Sequence, residues 1–176
     1  NPDIPHNEGM IEPLEIIIPE GTILNASYPK ATTFGNHLCP PNADAIMRAL
    51  APAIPENVTA GWNNLFCSLT SARDEEKDDT YVDIFFMGQK GGSGGMKGTD
   101  GYDHIGMIDA PGGMVDQDYE MFEQQTPHLL KKHEYTTDSA GAGQWRGGLG
   151  VETIYTMGSE DTQFVTFGDG DFEPAF

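Results

Sequence analysis

The stretch YVDIFFMGQKGGSGG, Tyr81 to Gly95, decides the reading of the fold. Tyr81 to Met87 is a run of aromatic and β-branched residues, which suit a pleated, half-buried surface, so a strand is predicted there. It gives way to a glycine-rich segment, 88–113, that holds Gly91, Gly92, Gly94 and Gly95 and closes on Ala110-Pro111-Gly112-Gly113. A loop of that length in a compact domain is functional or disordered. The interleaved Met96, Tyr102, Ile105, Met107 and Ile108 want burial, which argues against disorder.

Working outward, Trp62 to Leu69 reads as a strand with Leu65, Cys67 and Leu69 on one side. Asp74-Glu75-Glu76-Lys77-Asp78-Asp79 then reads as a charged surface turn. Near the start, Leu14-Glu15-Ile16-Ile17-Ile18 predicts a short strand. The clearest helix is predicted over Asn42 to Leu50. Asn42 would cap it, Asp44 would sit in its first turn, and Pro52 and Pro55 would stop it. Ala43, Ile46, Met47 and Leu50 share one face, expected to pack on a sheet with Arg48 outward. Downstream, Tyr119 to Phe122 and Leu129-Leu130 look like apolar anchors, and Tyr135 to Thr137 is strand-like. Val151 to Met157 and Gln163 to Phe167 alternate as half-buried strands do. A second glycine cluster, Gly141 to Gly150, surrounds Trp145 and Arg146. The fold class expected is α+β and β-rich: a mixed sheet or sandwich, one or two packed helices and long glycine-rich loops.

The chain has 176 residues, enough for one domain or at most two small ones. Lys+Arg is 9 and Asp+Glu is 28, giving a formal charge of -19. Phosphate neutralisation needs Lys and Arg, so this balance excludes nucleic acid and anionic lipid as natural partners. No apolar run reaches the roughly 18 residues of a membrane span. Cys39 and Cys67 are too few for a disulfide framework and are expected to be partly buried free thiols of a cytoplasmic protein. The first residue is Asn1, and 172–176 show no finishing element, so a portion of a longer polypeptide is expected.

The glycine loop invites a phosphate cradle, but its lysine in Met96-Lys97-Gly98-Thr99 fails the Gly-Lys-Ser/Thr pattern. Packing of the loop against its own domain or a partner is the stronger reading. His37 and Cys39, two apart on what reads as an extended segment, would face the same way and could in principle bind a soft metal. No third or fourth ligand is evident nearby. Asp103-His104 pairs a carboxylate with an imidazole, the usual proton carrier near neutral pH. His128 and His133 flank Lys131-Lys132 and read as surface residues. No Gly-x-Ser-x-Gly elbow occurs. Arg146, held by glycines, could clamp a carboxylate, internal or of a ligand.

These segments taken in order carry a resemblance. NPDIPHNEGMIEPLEIIIPEGTILNASYP, then Gly35-Asn36, a helix, GGSGGMKGTDG and HEYTTDSAGAGQWRGGLGV resemble the hydantoinase B/oxoprolinase family over nearly the whole chain. Asp138 to Gly148 is the most specific part. FGNHLCPPNADAIMRALAP looks like the family branch formed by the α subunits of acetone and acetophenone carboxylases. Many hydantoinase-type members continue after Gly-Asn with a Val-Glu-Thr-like run, whereas His37-Leu38-Cys39 stands here, which favours the carboxylase branch.

The resemblance implies that residues 1–176 are one C-terminal portion of a much longer subunit. Such a subunit works with a hydantoinase A-type ATP-binding partner, with or without a small third subunit. The carboxylase branch phosphorylates a ketone and bicarbonate and joins them into a β-keto acid. ATP and Mg are then expected in the partner subunit. Mn or a similar metal is expected in the full enzyme, with its ligands upstream of this chain and none within it. The catalytic candidates are His37, Asp103 and His104, and the ligand or subunit contacts are Asn36, Gly94, Gly95 and Arg146. The alternatives are the C-terminal part of the B subunit of an ATP-dependent hydantoinase or 5-oxoprolinase, and a subunit-contact module without chemistry of its own.

Overall fold

Strand β1, Phe66–Asp74, is the centre of a three-stranded sheet. Antiparallel neighbours flank it on both sides: β2, Asp79–Ile84, and a late strand, Gln163–Gly168, named β5 below. The computed structural model describes residues 5, 7–32, 35–63, 66–85, 90–107 and 115–168. Central position explains why small polar residues, Ser68 and Thr70, are buried on β1. Both of its edges are hydrogen-bonded, so its backbone needs no water. The charged run 74–79 makes the β1–β2 hairpin turn, as expected. Asp74 Oδ1 accepts from the backbone N–H of Glu76 at 3.1 Å and of Lys77 at 3.2 Å.

A second sheet pairs β3, Leu129–Tyr135, with β4, Val151–Thr156, antiparallel. A register shift between Leu130 and Lys132 puts two residues of β3 against one of β4, and beyond it His133 stands opposite Thr153. A bulge of this kind re-aims the side chains that follow it. The helix α1 spans Cys39–Leu50 and a shorter one, α2, spans Tyr119–Gln125. Asp118 caps α2, accepting from the Met121 N–H at 2.9 Å. The core gathers where α2 meets the strands. Phe85 and Phe122 are 2% and 1% exposed, and Leu130, Tyr155 and Met157 pack against them. Phe85 meets Tyr155 edge-on at 4.6 Å between ring centroids and Phe122 at 5.5 Å, arrangements aromatic quadrupoles favour.

The two glycine clusters pack on each other. Gly148 N–H donates to Ser93 O at 2.8 Å, Ser93 N–H to Tyr102 O at 2.9 Å and Gly101 N–H to Arg146 O at 2.7 Å. A Cβ on Gly148 would lie 2.0 Å from the Tyr102 carbonyl oxygen, so only glycine fits this seam. Packing of the glycine loop within the chain is therefore observed. Residues 86–89 and 108–114, part of the expected strand and loop, lie outside the described residues, as do 64–65 and 169–176.

Several elements differ from expectation. The helix starts at Cys39, with Pro40 and Pro41 in its first turn, and Leu38 takes the N-cap position in place of Asn42. Proline has no N–H to lose there and its fixed φ suits a helix start. Asp44 consequently lies beyond the first turn and is buried. Ile46 and Leu50 are exposed, so the predicted apolar face is not covered as expected. Residues Leu14 to Ile18 form no strand and their apolar side chains are exposed. Branched side chains favour a strand only where an edge is available to pair with. The strand placed at Tyr135 to Thr137 begins earlier, at Leu129, and ends at Tyr135. Cys39 is exposed and Cys67 buried.

The chain divides into two compact units, Asn1–Gly35 and Asn36–Phe176. The first contains a short 3-10 turn, Glu8–Met10, and a reversal in which Gly21 N–H donates to Asn25 O at 2.8 Å. The second contains both sheets, both helices and the glycine seam.

Candidate functional site

The side chains of His104, Asp116 and His133 converge. Each is supplied by a different part of the second unit. His104 sits at the end of the glycine segment with φ 54, a backbone region that residues other than glycine seldom occupy. Asp116 precedes α2, and the bulged strand β3 supplies His133. His104 Nε2 is hydrogen-bonded to Asp116 Oδ2. Lys90 Nζ lies 3.0 Å from the other oxygen, Oδ1, with its side chain 7% exposed. His133 Nδ1 pairs with Thr153 Oγ1 at 2.9 Å, and its Nε2 is 3.9 Å from Asp116 Oδ2.

Electrostatics follow from this enclosure. Burial alone would raise the Asp116 carboxyl, but hydrogen bonds from Lys90 and His104 outweigh it and hold the group below its ordinary value. Burial pushes the His133 imidazole down, opposed by the Asp116 carboxylate, so His133 is neutral near pH 7. Tyr119, in α2's first turn, is raised by burial and by Asp116. The group opens into a cavity of about 270 Å³ lined also by Tyr119, Glu134, Tyr135 and Val151. Two imidazoles, a carboxylate and an ammonium can move a proton or hold a cation, beside space for a small substrate.

The predicted residues fall in different places. His104 lines this cavity. Asp103, its neighbour, points elsewhere: Oδ1 accepts from the Leu149 N–H at 2.6 Å, anchoring the second glycine cluster. Arg146 is 3.8 Å from the same oxygen and half exposed, a loose internal ion pair in place of a bidentate clamp. Its backbone N–H donates to Asp100 Oδ1 at 2.8 Å. Gly94 is pressed against Gly61, whose carbonyl accepts its N–H at 2.9 Å. Gly95 borders a separate, more apolar cleft of about 610 Å³ with Val58, Met96 and Trp145. His37 lies in a 3-10 turn, Gly35–Leu38, and Cys39 begins α1, so the two are not on an extended segment. Asn36 is in the same turn; its side chain lies outside the described set.

Sequence reasoning missed Lys90, Asp116 and His133. His133, read as a surface residue, is 4% exposed in its side chain. His128, read the same way, is 2% exposed, stacks on Phe85 and hydrogen-bonds Tyr81 OH at 2.7 Å. Alternation along β3 could have flagged His133, but the bulge interrupts it.

The family model for hydantoinase B/oxoprolinase matches residues 1–176. The chain belongs to that family. Among curated relatives, the B subunit of a putative D-/L-hydantoinase from Pseudomonas sp. (strain NS671) is 32% identical over 148 residues, 84% of this chain and 24% of that protein. The beta subunit of caprolactamase from Pseudomonas jessenii is 32% identical over 172 residues, 94% of this chain and 29% of the relative. A 5-oxoprolinase from Saccharomyces cerevisiae is 32% identical over 159 residues, 85% of this chain and 12% of its own. The chain thus spans less than a third of the length of these relatives. Among solved structures, nucleotide-free acetone carboxylase shares the fold, with TM-score 0.57 at 24% identity over 69% of this chain and 16% of that one. Among the described residues, no helix is long and apolar enough to cross a membrane.

Proposed function

We propose that this hydantoinase B/oxoprolinase family chain is part of the α-type subunit of an ATP-dependent ketone carboxylase, which forms a β-keto acid from a ketone and bicarbonate. An A-type partner would bind ATP with Mg, and Mn or a similar metal would serve in the full enzyme. The observation that carries the reading is the open cavity lined by His104 and Asp116, with Lys90 paired to Asp116, in a fold shared with acetone carboxylase. Making carbon beside a carbonyl nucleophilic requires a group to take a proton and a positive centre near the resulting oxyanion. An imidazole and a carboxylate on the cavity, with an ammonium paired to that carboxylate, are residues of the right kinds. The His37-Leu38-Cys39 run, similar to the carboxylase branch, points the same way.

The packed glycine seam supports the reading from another side. Phosphorylated ketone and bicarbonate intermediates hydrolyse readily, so their site must exclude water. Loops that interlock backbone to backbone, with Ser93 buried between them, are the kind of close packing such a site would need.

A second reading has its own support: the relatives' names describe a hydantoinase, a caprolactamase and 5-oxoprolinases. Under it the chain belongs to an ATP-dependent cyclic amide hydrolase. ATP cleavage by the intact complex separates the two. Stimulation by acetone or a related ketone with bicarbonate supports the carboxylase; stimulation by a hydantoin, caprolactam or 5-oxoproline instead overturns it.

A further inference from the structure

We infer that His104 Nε2, Asp116 Oδ2 and His133 Nε2 form a binding site for a divalent first-row transition-metal ion. The inference rests on the donor geometry and stands whichever substrate the enzyme takes. The three atoms lie within 4.8 Å of one another. Ligand atoms about 2.1 Å from a tetrahedral ion are about 3.4 Å apart. Small side-chain rotations therefore close the set around an ion. Two imidazoles and one carboxylate are a donor set that suits Zn, Mn or Fe and leaves coordination positions open. Here the open side faces the 270 Å³ cavity.

Two observations point to a ligand beyond the residues themselves. His133 is almost wholly buried, yet its Nε2 has no hydrogen-bond partner among the described residues. Buried imidazole nitrogens are nearly always paired, so one left bare and turned toward a carboxylate calls for an occupant. Its other nitrogen is held by Thr153 Oγ1. With Nδ1–H donating to that hydroxyl, the Nε2 lone pair is directed into the cluster, the outer support that metal-binding histidines ordinarily have. Lys90 plays the matching part at Asp116. By taking Oδ1 it leaves Oδ2 as a single donor. His104 shares a proton with that oxygen, and the ion would take the proton's place. Without a metal, His104 Nε2 and Asp116 Oδ2 are hydrogen-bonded, and Asp116 Oδ1 has its ion pair with Lys90 but no hydrogen bond. His133 Nε2 is left with neither a hydrogen bond nor a close ion pair among the described residues.

The test uses the intact subunit, stripped with chelator and reloaded with Co²⁺ alone. Wild type is expected to hold one more equivalent per subunit than Asp116→Asn, which keeps the side-chain shape, with visible d–d absorption that the variant lacks. Thr153→Val, which removes only the support of His133, should weaken that equivalent about 10- to 100-fold. Equal stoichiometry and equal spectra in wild type and Asp116→Asn would overturn the site. Anomalous scattering at the cobalt edge from wild-type crystals needs no variant. A peak between His104 and His133 supports the inference, and no peak there overturns it.

Discussion

Gly148→Ala tests the glycine seam that leads into His104. The added Cβ would sit 2.0 Å from the Tyr102 carbonyl oxygen and 2.8 Å from Gly92 Cα, both backbone atoms that no rotamer change can move aside. The loops must separate, breaking the links Gly148–Ser93, Ser93–Tyr102 and Gly101–Arg146. At about 1 kcal/mol net for each hydrogen bond, local stability falls by about 2–4 kcal/mol. Hydrogen exchange on the intact subunit reads this directly, since a local opening equilibrium sets amide protection. Exchange in peptides covering Ser93, Gly101 and Gly148 should quicken roughly 30- to 1,000-fold, because each 1.4 kcal/mol is a factor of ten. Gly141→Ala is the control in the same cluster: a Cβ there meets nothing within 4 Å, so exchange should be unchanged. Equal behaviour of the two variants would refute the claim that these glycines are required by close packing.

Other outcomes follow from the core and from α2. Phe122→Ala empties the centre of the aromatic cluster and should lower local stability by about 3–5 kcal/mol, seen as loss of exchange protection across α2 and β3. Asp118→Ala removes the N-cap of α2 and should cost about 1 kcal/mol, a roughly fivefold faster exchange at Met121. Burial holds the His128 imidazole below its ordinary value. Between that folded value and about 6.5 the unfolded chain binds more protons, so stability rises with pH there and is lost as pH falls below about 6.5. Opening free energies at pH 7.5 and 5.5, corrected for intrinsic exchange chemistry, should differ more in wild type than in His128→Gln. His133 adds a share of the same sign.

Local pattern in the sequence reached part of this structure. β4 and β5 stand within two residues of where alternation places them, but only β4 alternates in burial; Phe164 and Val165, adjacent on β5, are both exposed. The few-helix, strand-rich composition follows from the glycines and prolines that interrupt every long segment. The helix α2 escaped because seven residues hold too little periodicity to distinguish it from an apolar anchor. Asp118, its cap, was the available signal. Leu14 to Ile18 misled in the other direction, since composition reports a preference and pairing requires a neighbour. At the site, His104 was visible because an acid stands beside it. Its actual partner, Asp116, comes 12 residues later from another element, a separation that matches no motif. Lys90, Asp116 and His133 are brought together by the glycine seam, the entry to α2 and the β3 bulge, none of which a linear pattern records.

That this family member serves a carboxylating enzyme is tested most directly by supplying the intact complex with ATP, a ketone and ¹³C-bicarbonate and following the label by NMR. Label is predicted in the carboxyl carbon of a β-keto acid, formed only when ketone and ATP are both present. Absence of labelled acid, with ring-opened product from a hydantoin or 5-oxoproline under the same conditions, would contradict it.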